Sequence, residues 1–302
     1  MVFFCYPSIP TVGKTNVLVR SFMTIQSKQE KLAKILRELG SVAVAFSSGV
    51  DSTFLLKTAH DILGNGTLAV TIRADLFPSR ELDEAARFVK EKGIEHVFVD
   101  VDAFGIAGFS QNPANRCYLC KTALFSCIRR IAEERGIPHV AEGSQADDSG
   151  DDRPGLQAIA ELGILSPLRE AGFTKQDIRQ LSREWGLPTW DKQSLACLAS
   201  RIPYGEEITK ERLAMIDLAE QHLLDADFRQ VRVRFHGNLA RIETDEEGFR
   251  QLADKNLRER IHCRFKEIGF TYISVDLLGY RSGSMNEMSA HGYCRSEKND
   301  VT

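Results

Sequence analysis

The stretch that most restricts the fold of this chain is a run of small residues between an apolar segment and a helical one. It reads Ser47-Ser48-Gly49-Val50-Asp51-Ser52 and follows the apolar residues 42–46. A strand that turns this sharply into a helix leaves backbone N–H groups unpaired at the helix start. These donors and the positive helix end attract anions, and small side chains let a phosphate approach. The pattern predicts a phosphate-binding turn; an ordinary turn capped by Asp51 or Ser52 is the alternative.

Strands and helices alternate regularly around this turn. Apolar runs predict β-strands over residues 41–46, 68–72, 95–101 and 138–142. Helical spacing and capping residues predict helices over residues 26–39, 52–63, 79–92, 117–135 and 174–185. This order predicts an α/β fold, a parallel sheet with helices on both faces. Ligands of such sheets bind at the carboxyl ends of the strands, where the small-residue turn lies.

A smaller C-terminal α+β domain is predicted beyond Ile202-Pro203-Tyr204-Gly205. Its predicted elements are a helix over 209–224, strands near 228–236 and 239–243, one helix over 245–268 and a strand over 272–277. We therefore expect a loose extension over 1–25, a nucleotide-binding domain over 26–203, a domain for substrate or oligomer contacts over 204–288, and a polar tail over 289–302.

Bulk composition narrows the class of partner. The net charge of −3 and the pI near 6.2 disfavour extended nucleic-acid binding, so we expect a small-molecule ligand and no nucleic acid. No apolar stretch is long enough for a secretory signal or a membrane span, so no membrane partner is expected. The seven cysteines are an odd number, which favours a reducing cytoplasm over a disulfide framework.

Two further groups of residues are candidates for ligand contacts. The loop Glu142-Gly143-Ser144-Gln145-Ala146-Asp147-Asp148 follows the fourth strand. Gly143 permits close approach of a ligand, and Asp147 with its acidic neighbours could help hold Mg²⁺ beside phosphates, unless the loop is simply a solvated acidic one. Cys117 and Cys120 form a C-x-x-C pair typical of a metal or redox site.

Arginines mark a possible anion site in the C-terminal domain. Arg232, Arg234 and His236 alternate along one predicted strand and therefore share a face, with Arg241 on the next strand. Such a face can simply be a charged, solvated surface. The sharper prediction is a site for an anionic substrate group, to which Arg281 and Arg201 also contribute.

Together these motifs resemble one superfamily, the PP-loop ATP pyrophosphatases, which split ATP between its α and β phosphates. The usual PP-loop has Gly where Ser48 stands, so this loop must hold Ser48 in an ordinary backbone region or tolerate modest strain. Within the superfamily the chain resembles the LarE family of ATP-dependent sulfur transferases. The segments that carry this resemblance are Asn112-Pro113-Ala114-Asn115-Arg116-Cys117-Tyr118-Leu119-Cys120-Lys121, the loop 142–148, Arg153-Pro154-Gly155 and residues 190–204.

The resemblance implies ATP and Mg²⁺ as cofactors and a homo-hexamer as the assembly. It implies AMP-forming activation of a carboxylate on pyridinium-3,5-biscarboxylic acid mononucleotide, followed by sulfur insertion to give a thiocarboxylate. ATP would contact Ser47, Ser48, Gly49, Val50, Asp51, Ser52, Gly143, Ser144 and Asp147. Catalytic roles would fall to Asp51, Cys117, Cys120 and Cys197.

The resemblance implies two possible sources for the sulfur. In one scheme the cysteine that matches Cys197 gives up its own sulfur; in the other, three cysteines hold a 4Fe-4S cluster that carries an extra sulfide. This sequence has all three of those cysteines, namely Cys117, Cys120 and Cys197, and we therefore expect the cluster scheme. A zinc site completed by His139 or Asp191, and a disulfide between Cys117 and Cys120, are the other options.

Two alternative functions stay open at this point. A tRNA thiolase of the same superfamily also uses ATP, although a stronger basic surface would be expected of it than a pI near 6.2 indicates. A nucleotide-binding regulator without catalysis is the second alternative, and Ser48 in the PP-loop is the residue that raises it.

Overall fold

The computed structural model describes residues 24–150, 154–193, 196–281 and 283–286. The predicted N-terminal extension up to residue 23, Arg153 of the family motif and the predicted polar tail lie outside the described residues. The strands are β1 (Val42–Ala45), β2 (Thr67–Arg73), β3 (Glu95–Asp100), β4 (Val140–Ala141), β5 (Val231–His236), β6 (Leu239–Thr244) and β7 (Tyr272–Val275). The helices are α1 (Ile25–Leu39), α2 (Val50–Leu63), α3 (Ser79–Lys92), α4 (Arg116–Glu134), α5 (Pro154–Glu161), α6 (Pro167–Ala171), α7 (Lys175–Glu184), α8 (Lys210–Asp225), α9 (Glu246–Gln251) and α10 (Lys255–Ile268).

The first four strands form a parallel sheet in the order β3-β2-β1-β4, which confirms the predicted α/β fold. The chain moves outward from β1 to β2 and β3, and then places β4 on the other side of β1. The carboxyl ends of β1 and β4 therefore flank the switch point, where the crevice of an open α/β sheet receives its ligand. The small-residue turn follows β1 and the loop 142–148 follows β4, so both candidate loops lie at this crevice.

Helices cover both faces of the sheet. On one face, Val42 and Val44 of β1 are fully buried against helices that include α1, α2 and α3. On the other face, Leu68 and Val70 of β2 pack in a cluster with Leu124 of α4. β1 is apolar along its whole length and β2 is buried from Thr67 to Ile72, because both faces of these strands are covered, as is usual for parallel sheets.

The second sheet has the order β5-β6-β7, with β5 and β6 antiparallel and β6 and β7 parallel. The predicted single helix over residues 245–268 is wrong, because the structure has α9 and α10 there. α9 ends at Gln251, and Asp254 begins α10: its backbone is extended, and its carboxylate accepts hydrogen bonds from the N–H groups of Asn256 and Leu257. A capping aspartate inside a charged, helix-forming stretch is easily counted as one more helical residue.

Candidate active site

The turn between β1 and α2 has the form of an anion-binding loop. Gly49 is the N-cap of α2 and no side chain caps the first turn, so the alternative of a turn capped by Asp51 or Ser52 is wrong. The Ser52 hydroxyl donates to the Gly49 carbonyl at 3.2 Å and accepts from the Ser47 N–H at 3.4 Å. These contacts hold the turn closed, while the N-terminal donors of α2 remain available to a ligand.

Ser48 adopts a backbone conformation that favours glycine. Its φ is 51°, so of the two options for this position the loop uses the strained one. The residue is 1% exposed, and its hydroxyl donates to the backbone carbonyl and to Oε2 of Glu81, both at 3.1 Å. These contacts to α3 fix the residue in the left-handed region.

The loop after β4 packs directly against the start of α2, and Gly143 makes this possible. A Cβ at Gly143 would lie 3.0 Å from the Ser52 nitrogen and 3.1 Å from the Asp51 carbonyl carbon. The neighbouring Ser144 is fixed by Glu142, whose Oε2 accepts from its N–H at 3.0 Å and from its hydroxyl at 2.8 Å. The structure therefore brings Gly143 and Ser144 to the PP-loop, although the sequence places them about ninety residues apart.

Asp51 points toward a lysine that the sequence did not single out. Nζ of Lys175, the first residue of α7, lies 2.5 Å from Asp51 Oδ2, and the Lys175 N–H donates to Asp147 Oδ2 at 2.8 Å. Burial raises the pKa of Asp51 and the Asp148 charge raises it further, while Lys175 opposes both. Lys175 therefore contacts both Asp51 of the PP-loop and Asp147 of the loop after β4, which brings these two carboxylates close to the same lysine.

The three cysteines of interest lie near one another. Cys117 and Cys120 are in the first turns of α4, and Cys197 lies just before a short 3₁₀ turn formed by Leu198–Arg201. Burial raises the pKa of the Cys120 thiol to about 12, with further contributions from the charges of Cys197 and Cys117. Cys117 and Cys197 thus both lie close enough to act on Cys120, and the structure brings together the residues that the resemblance grouped.

Within the part of the chain that the structure describes, no three His, Cys, Asp or Glu side chains are arranged to hold a single metal ion. Thiolates are donors that iron–sulfur clusters use, and the binding of such a cluster by the three cysteines stays a prediction.

A buried arginine and asparagine lock the cysteine segments together. Arg116 is 3% exposed, and its guanidinium donates to the Ala199 carbonyl at 3.0 Å and to Oδ1 of Asn112. The Asn112 amide in turn donates to the Pro203 carbonyl at 2.7 Å. Arg116 therefore fixes the start of α4 against the segment that follows Cys197, which positions Cys117 and Cys120 beside it.

Arg201 is buried beneath Cys197 rather than exposed at a surface. It is 1% exposed, and it pairs with Glu220 of α8 through two hydrogen bonds of 2.9 Å. The same guanidinium donates to the carbonyls of Ala196 at 2.6 Å and Cys197 at 3.0 Å. These contacts fix the backbone at Cys197; the predicted contact of Arg201 with substrate stays a prediction.

The arginines of β5 are also buried. Nη2 of Arg234 donates to Glu243 at 2.6 Å and to the Ser284 hydroxyl at 3.0 Å, and the residue opposite Arg234 on β6 is Arg241. Burial lowers the pKa of Arg232 to about 10, and the nearby charge of Arg201 contributes. The cluster is therefore a buried, charged region and not a solvated strand face.

Arg281 lies at the margin of this cluster, where it donates to Asp276 at 3.0 Å.

A cavity of about 550 Å³ lies at the carboxyl ends of β2 and β3, a volume typical of small-molecule sites. Its lining includes Ala74, Phe77, Asp102, Leu198 and Asp217, so it extends from the sheet to α8.

The arrangement combines three chemical capacities at one end of the sheet: an anion-binding turn, a group of thiols, and a buried arginine cluster. The sequence missed Lys175, Lys192, Glu81, Glu220 and Glu243, all of which contact the predicted residues. Each occurs singly among other charged residues, and charged side chains are usually exposed. Only the structure reveals them: Glu81, Glu220 and Glu243 are buried, and Lys175 and Lys192 are half-buried.

No protein-family model matches the chain. An uncharacterised protein of Synechocystis sp. is 40% identical over 265 residues, which cover 87% of this chain and 98% of that protein. The pyridinium-3,5-bisthiocarboxylic acid mononucleotide synthase of Lactiplantibacillus plantarum is 37% identical, over 87% of this chain and 95% of its own length. One of the subunits of glutamine-hydrolysing GMP synthase from Thermoplasma volcanium is 28% identical over 62% of this chain and 66% of its own length.

The match to the L. plantarum synthase spans nearly all of that protein, and its extent is large enough to include the PP-loop and the cysteine segments. The similarity to GMP synthase is weaker and shorter, as is expected of a different branch of the same superfamily. The parallel sheet, the anion-binding turn after β1 and these similarities agree. The chain is an ATP-dependent enzyme and belongs to the LarE family of PP-loop ATP pyrophosphatases.

Proposed function

We propose that this enzyme is an ATP-dependent sulfur transferase that converts a carboxylate of pyridinium-3,5-biscarboxylic acid mononucleotide into a thiocarboxylate. The name of the L. plantarum relative, a bisthiocarboxylic acid mononucleotide synthase, supports this substrate class. The observation that carries the proposal is the position of Cys197. Lys192, five residues before it, is bonded to the PP-loop, and Cys197 lies close enough to Cys120 for its charge to act on that thiol.

The first step is adenylation. A carboxylate oxygen of the substrate attacks the α-phosphorus of ATP, the bond from that phosphorus to the bridging oxygen breaks, and pyrophosphate leaves. The departing pyrophosphate lies on the turn 47–52, where the N–H groups of α2 and its helix dipole stabilise negative charge. Gly143 lets the loop after β4 close on the same site.

Two carboxylates suit a magnesium ion beside the phosphates. Oδ1 of Asp51 is buried and has no hydrogen-bond partner within the described residues, and Asp147 is held nearby through Lys175. Hard carboxylate oxygens are the ligands that Mg²⁺ prefers. When bound, Mg²⁺ neutralises phosphate charge and orients the triphosphate. Asp51 and Asp147 would hold it.

The second step is sulfur transfer. A sulfur nucleophile attacks the activated carboxyl carbon, the carbon–oxygen bond to AMP breaks, and AMP leaves with that electron pair. Cys117, Cys120 and Cys197 would hold a 4Fe-4S cluster, for which three thiolates are suitable donors. When bound, such a cluster supplies one iron without a protein ligand, at which a sulfide can be carried.

The buried arginine cluster is the proposed site for the phosphate of the substrate. Burial and the charge of Arg201 disfavour the charged form of Arg232, and a bound phosphate would reverse that effect. Arg234 lies two residues further along β5, and Arg281 lies at the edge of the cluster. Arginine is suited to phosphate because its guanidinium binds two oxygens at once.

The proposal is tested by incubating the reconstituted enzyme anaerobically with ATP, Mg²⁺ and the biscarboxylic mononucleotide. Pyrophosphate release that depends on the mononucleotide, together with a thiocarboxylate product in the mass spectrum, is the expected result. Asp51→Asn should abolish pyrophosphate release, and Cys197→Ala should leave release intact while it abolishes the thiocarboxylate. ATP turnover that is indifferent to the mononucleotide would refute the substrate assignment.

The source of the sulfur is identified by mass spectrometry of the protein after turnover. With a cluster, mass spectrometry should find Cys197 unchanged and sulfur transfer should fail in Cys117→Ala. Loss of sulfur at Cys197, or full transfer by Cys117→Ala, would instead show that Cys197 gives up its own sulfur.

We further propose that the enzyme acts as a homo-hexamer in the reducing cytoplasm, where thiols persist. No described helix is long and apolar enough to cross a membrane.

A further inference from the structure

Lys192 precedes Cys197 in the chain, and its ammonium group contacts the PP-loop. Its Nζ lies 2.6 Å from Glu81 Oε2, 3.1 Å from the Ser48 carbonyl oxygen and 3.3 Å from the Ser48 hydroxyl. It also donates to Oε2 of Glu84. The lysine side chain is 17% exposed, so the ammonium is largely enclosed by these partners.

The contacts converge on the one irregular residue of the PP-loop. Ser48 has a φ of 51°, a conformation that is energetically unfavourable for a residue with a Cβ. Its carbonyl is held by Lys192, and its hydroxyl is held by Glu81, which itself binds Lys192. The three residues form a closed group, and the strained backbone persists because that group over-determines it.

The lysine also balances charge beside the anion-binding turn. The Glu81 carboxylate is buried against the PP-loop, where a bare negative charge would repel a phosphate group. The Lys192 ammonium neutralises that charge at hydrogen-bond distance. An uncompensated carboxylate would oppose pyrophosphate binding more strongly here than at a surface, because burial reduces solvent screening.

The backbone of Lys192 begins the segment that carries Cys197. Its carbonyl accepts from Arg179 of α7 at 2.8 Å, and its N–H donates to the Thr189 carbonyl at 3.0 Å. Beyond Cys197, the Leu198 N–H donates to the Leu76 carbonyl at 2.9 Å. Lys192 and Leu198, on either side of Cys197, are therefore each held by hydrogen bonds, and the Lys192 ammonium is bonded to the PP-loop as well.

We propose that Lys192 is a positioning residue that holds the PP-loop in its anion-binding form and anchors the Cys197 segment to it. Lys192 acts through Ser48 and Glu81, not on the reacting atoms. The inference rests on the proposed function only for its role in sulfur transfer. Pyrophosphate binding by itself is enough to test the positioning of the loop.

The test measures binding of inorganic pyrophosphate by isothermal titration calorimetry. Lys192→Met keeps the length of the side chain and removes its charge. The dissociation constant of this variant for pyrophosphate should be about tenfold or more above that of the wild type. Lys90→Met, at an exposed position on the same helix as Glu81, is the control and should bind like the wild type. Lys192→Arg retains the charge and should bind more tightly than Lys192→Met.

Two double variants separate positioning from a general loss of stability. Lys192→Met with Glu81→Gln removes both charges and should bind pyrophosphate more tightly than Lys192→Met alone. Lys192→Met with Ser48→Gly relieves the strained φ and should also recover affinity. A purely structural role predicts that each second change adds to the damage. Thermal melting of every variant shows whether it is folded.

The anchoring of the cysteine segment has its own readout. Alkylation of Cys197 by iodoacetamide, followed by mass spectrometry, should be faster in Lys192→Met, while the exposed Cys263 should react at an unchanged rate. Wild-type affinity for pyrophosphate in folded Lys192→Met, or no recovery in either double variant, would overturn the proposal. If the wild type binds pyrophosphate but ignores the mononucleotide, the proposed function fails and the role of Lys192 stands.

Discussion

The Lys175 ammonium lies 2.5 Å from Oδ2 of Asp51, the acidic residue of the PP-loop, although α7 and α2 are far apart in the chain. This ion pair holds the carboxylate in a site whose burial disfavours charge. Asp51 must be ionised to bind a cation beside the phosphates. Under the proposed function, we therefore expect the pair to set the pH range in which the PP-loop is competent.

Replacing Lys175 by Met should move the acid limb of the pH profile of pyrophosphate release to higher pH. Burial raises the pKa of Asp51 and Lys175 lowers it, so removal of the lysine raises that pKa further. The profile is measured as kcat/KM for ATP with saturating mononucleotide. The matched control is Lys57→Met, which removes a lysine that pairs with Asp61 on the outer face of α2. An unmoved acid limb in Lys175→Met would contradict the prediction.

Ser48→Ala should destabilise the enzyme more than Ser48→Gly does. Both variants lose the hydroxyl contacts with Glu81, each of which is 3.1 Å long. Alanine keeps the unfavourable φ of 51°, whereas glycine removes that strain, a difference of about 1 kcal/mol. Urea denaturation of the two variants gives the free energies of unfolding. Equal stabilities would show that Ser48 stores no backbone strain.

Breaking the buried pair of Arg201 and Glu220 should be costly. Glu220→Gln leaves the guanidinium buried without its counter-charge, and we expect a loss of about 3–5 kcal/mol in the free energy of unfolding at neutral pH. The control is Glu259→Gln, which removes an exposed partner of Lys255 and should change stability by less than about 1 kcal/mol. Urea denaturation measures both.

The same pair predicts a pH dependence of stability. Burial by itself would raise the pKa of Glu220, but Arg201 outweighs it and the pKa lies below the ordinary value of 4.5. A depressed carboxylate pKa contributes stability above the pKa of the unfolded chain, and this stability is lost as the pH falls through the folded value. The stability difference between wild type and Glu220→Gln should thus be largest near neutral pH and shrink in acid. A constant difference would contradict this.

In the cluster-free enzyme, Cys120 should resist alkylation. Its pKa is raised to about 12, chiefly by burial, so little thiolate is present at pH 8. Iodoacetamide should modify Cys120 at least about tenfold more slowly than the exposed Cys263, as followed by peptide mass spectrometry. In urea, which removes burial, the two rates should converge. Rapid modification of Cys120 in the folded protein would refute the prediction.

Local patterns were enough to predict much of this protein. The apolar run, the small-residue turn and the following helix lie within one short stretch, so the strand–turn–helix unit could be predicted directly from residues 42–57. The alternation of strands and helices predicted the parallel sheet for the same reason. The prediction of one helix over 245–268 was wrong because the capping role of Asp254 depends on a single hydrogen-bonded turn.

The sequence by itself determined the energy source and the candidate sulfur ligands, because a PP-loop and a C-x-x-C pair are contiguous motifs. Only the tertiary structure decided which charges complete them. Lys192 and Ser48 are 144 residues apart, and Lys175 and Asp51 are 124 apart. Partners at such separations leave no periodic trace in the chain, and their significance comes from burial, which raises the energetic cost of any charge that is left unpaired.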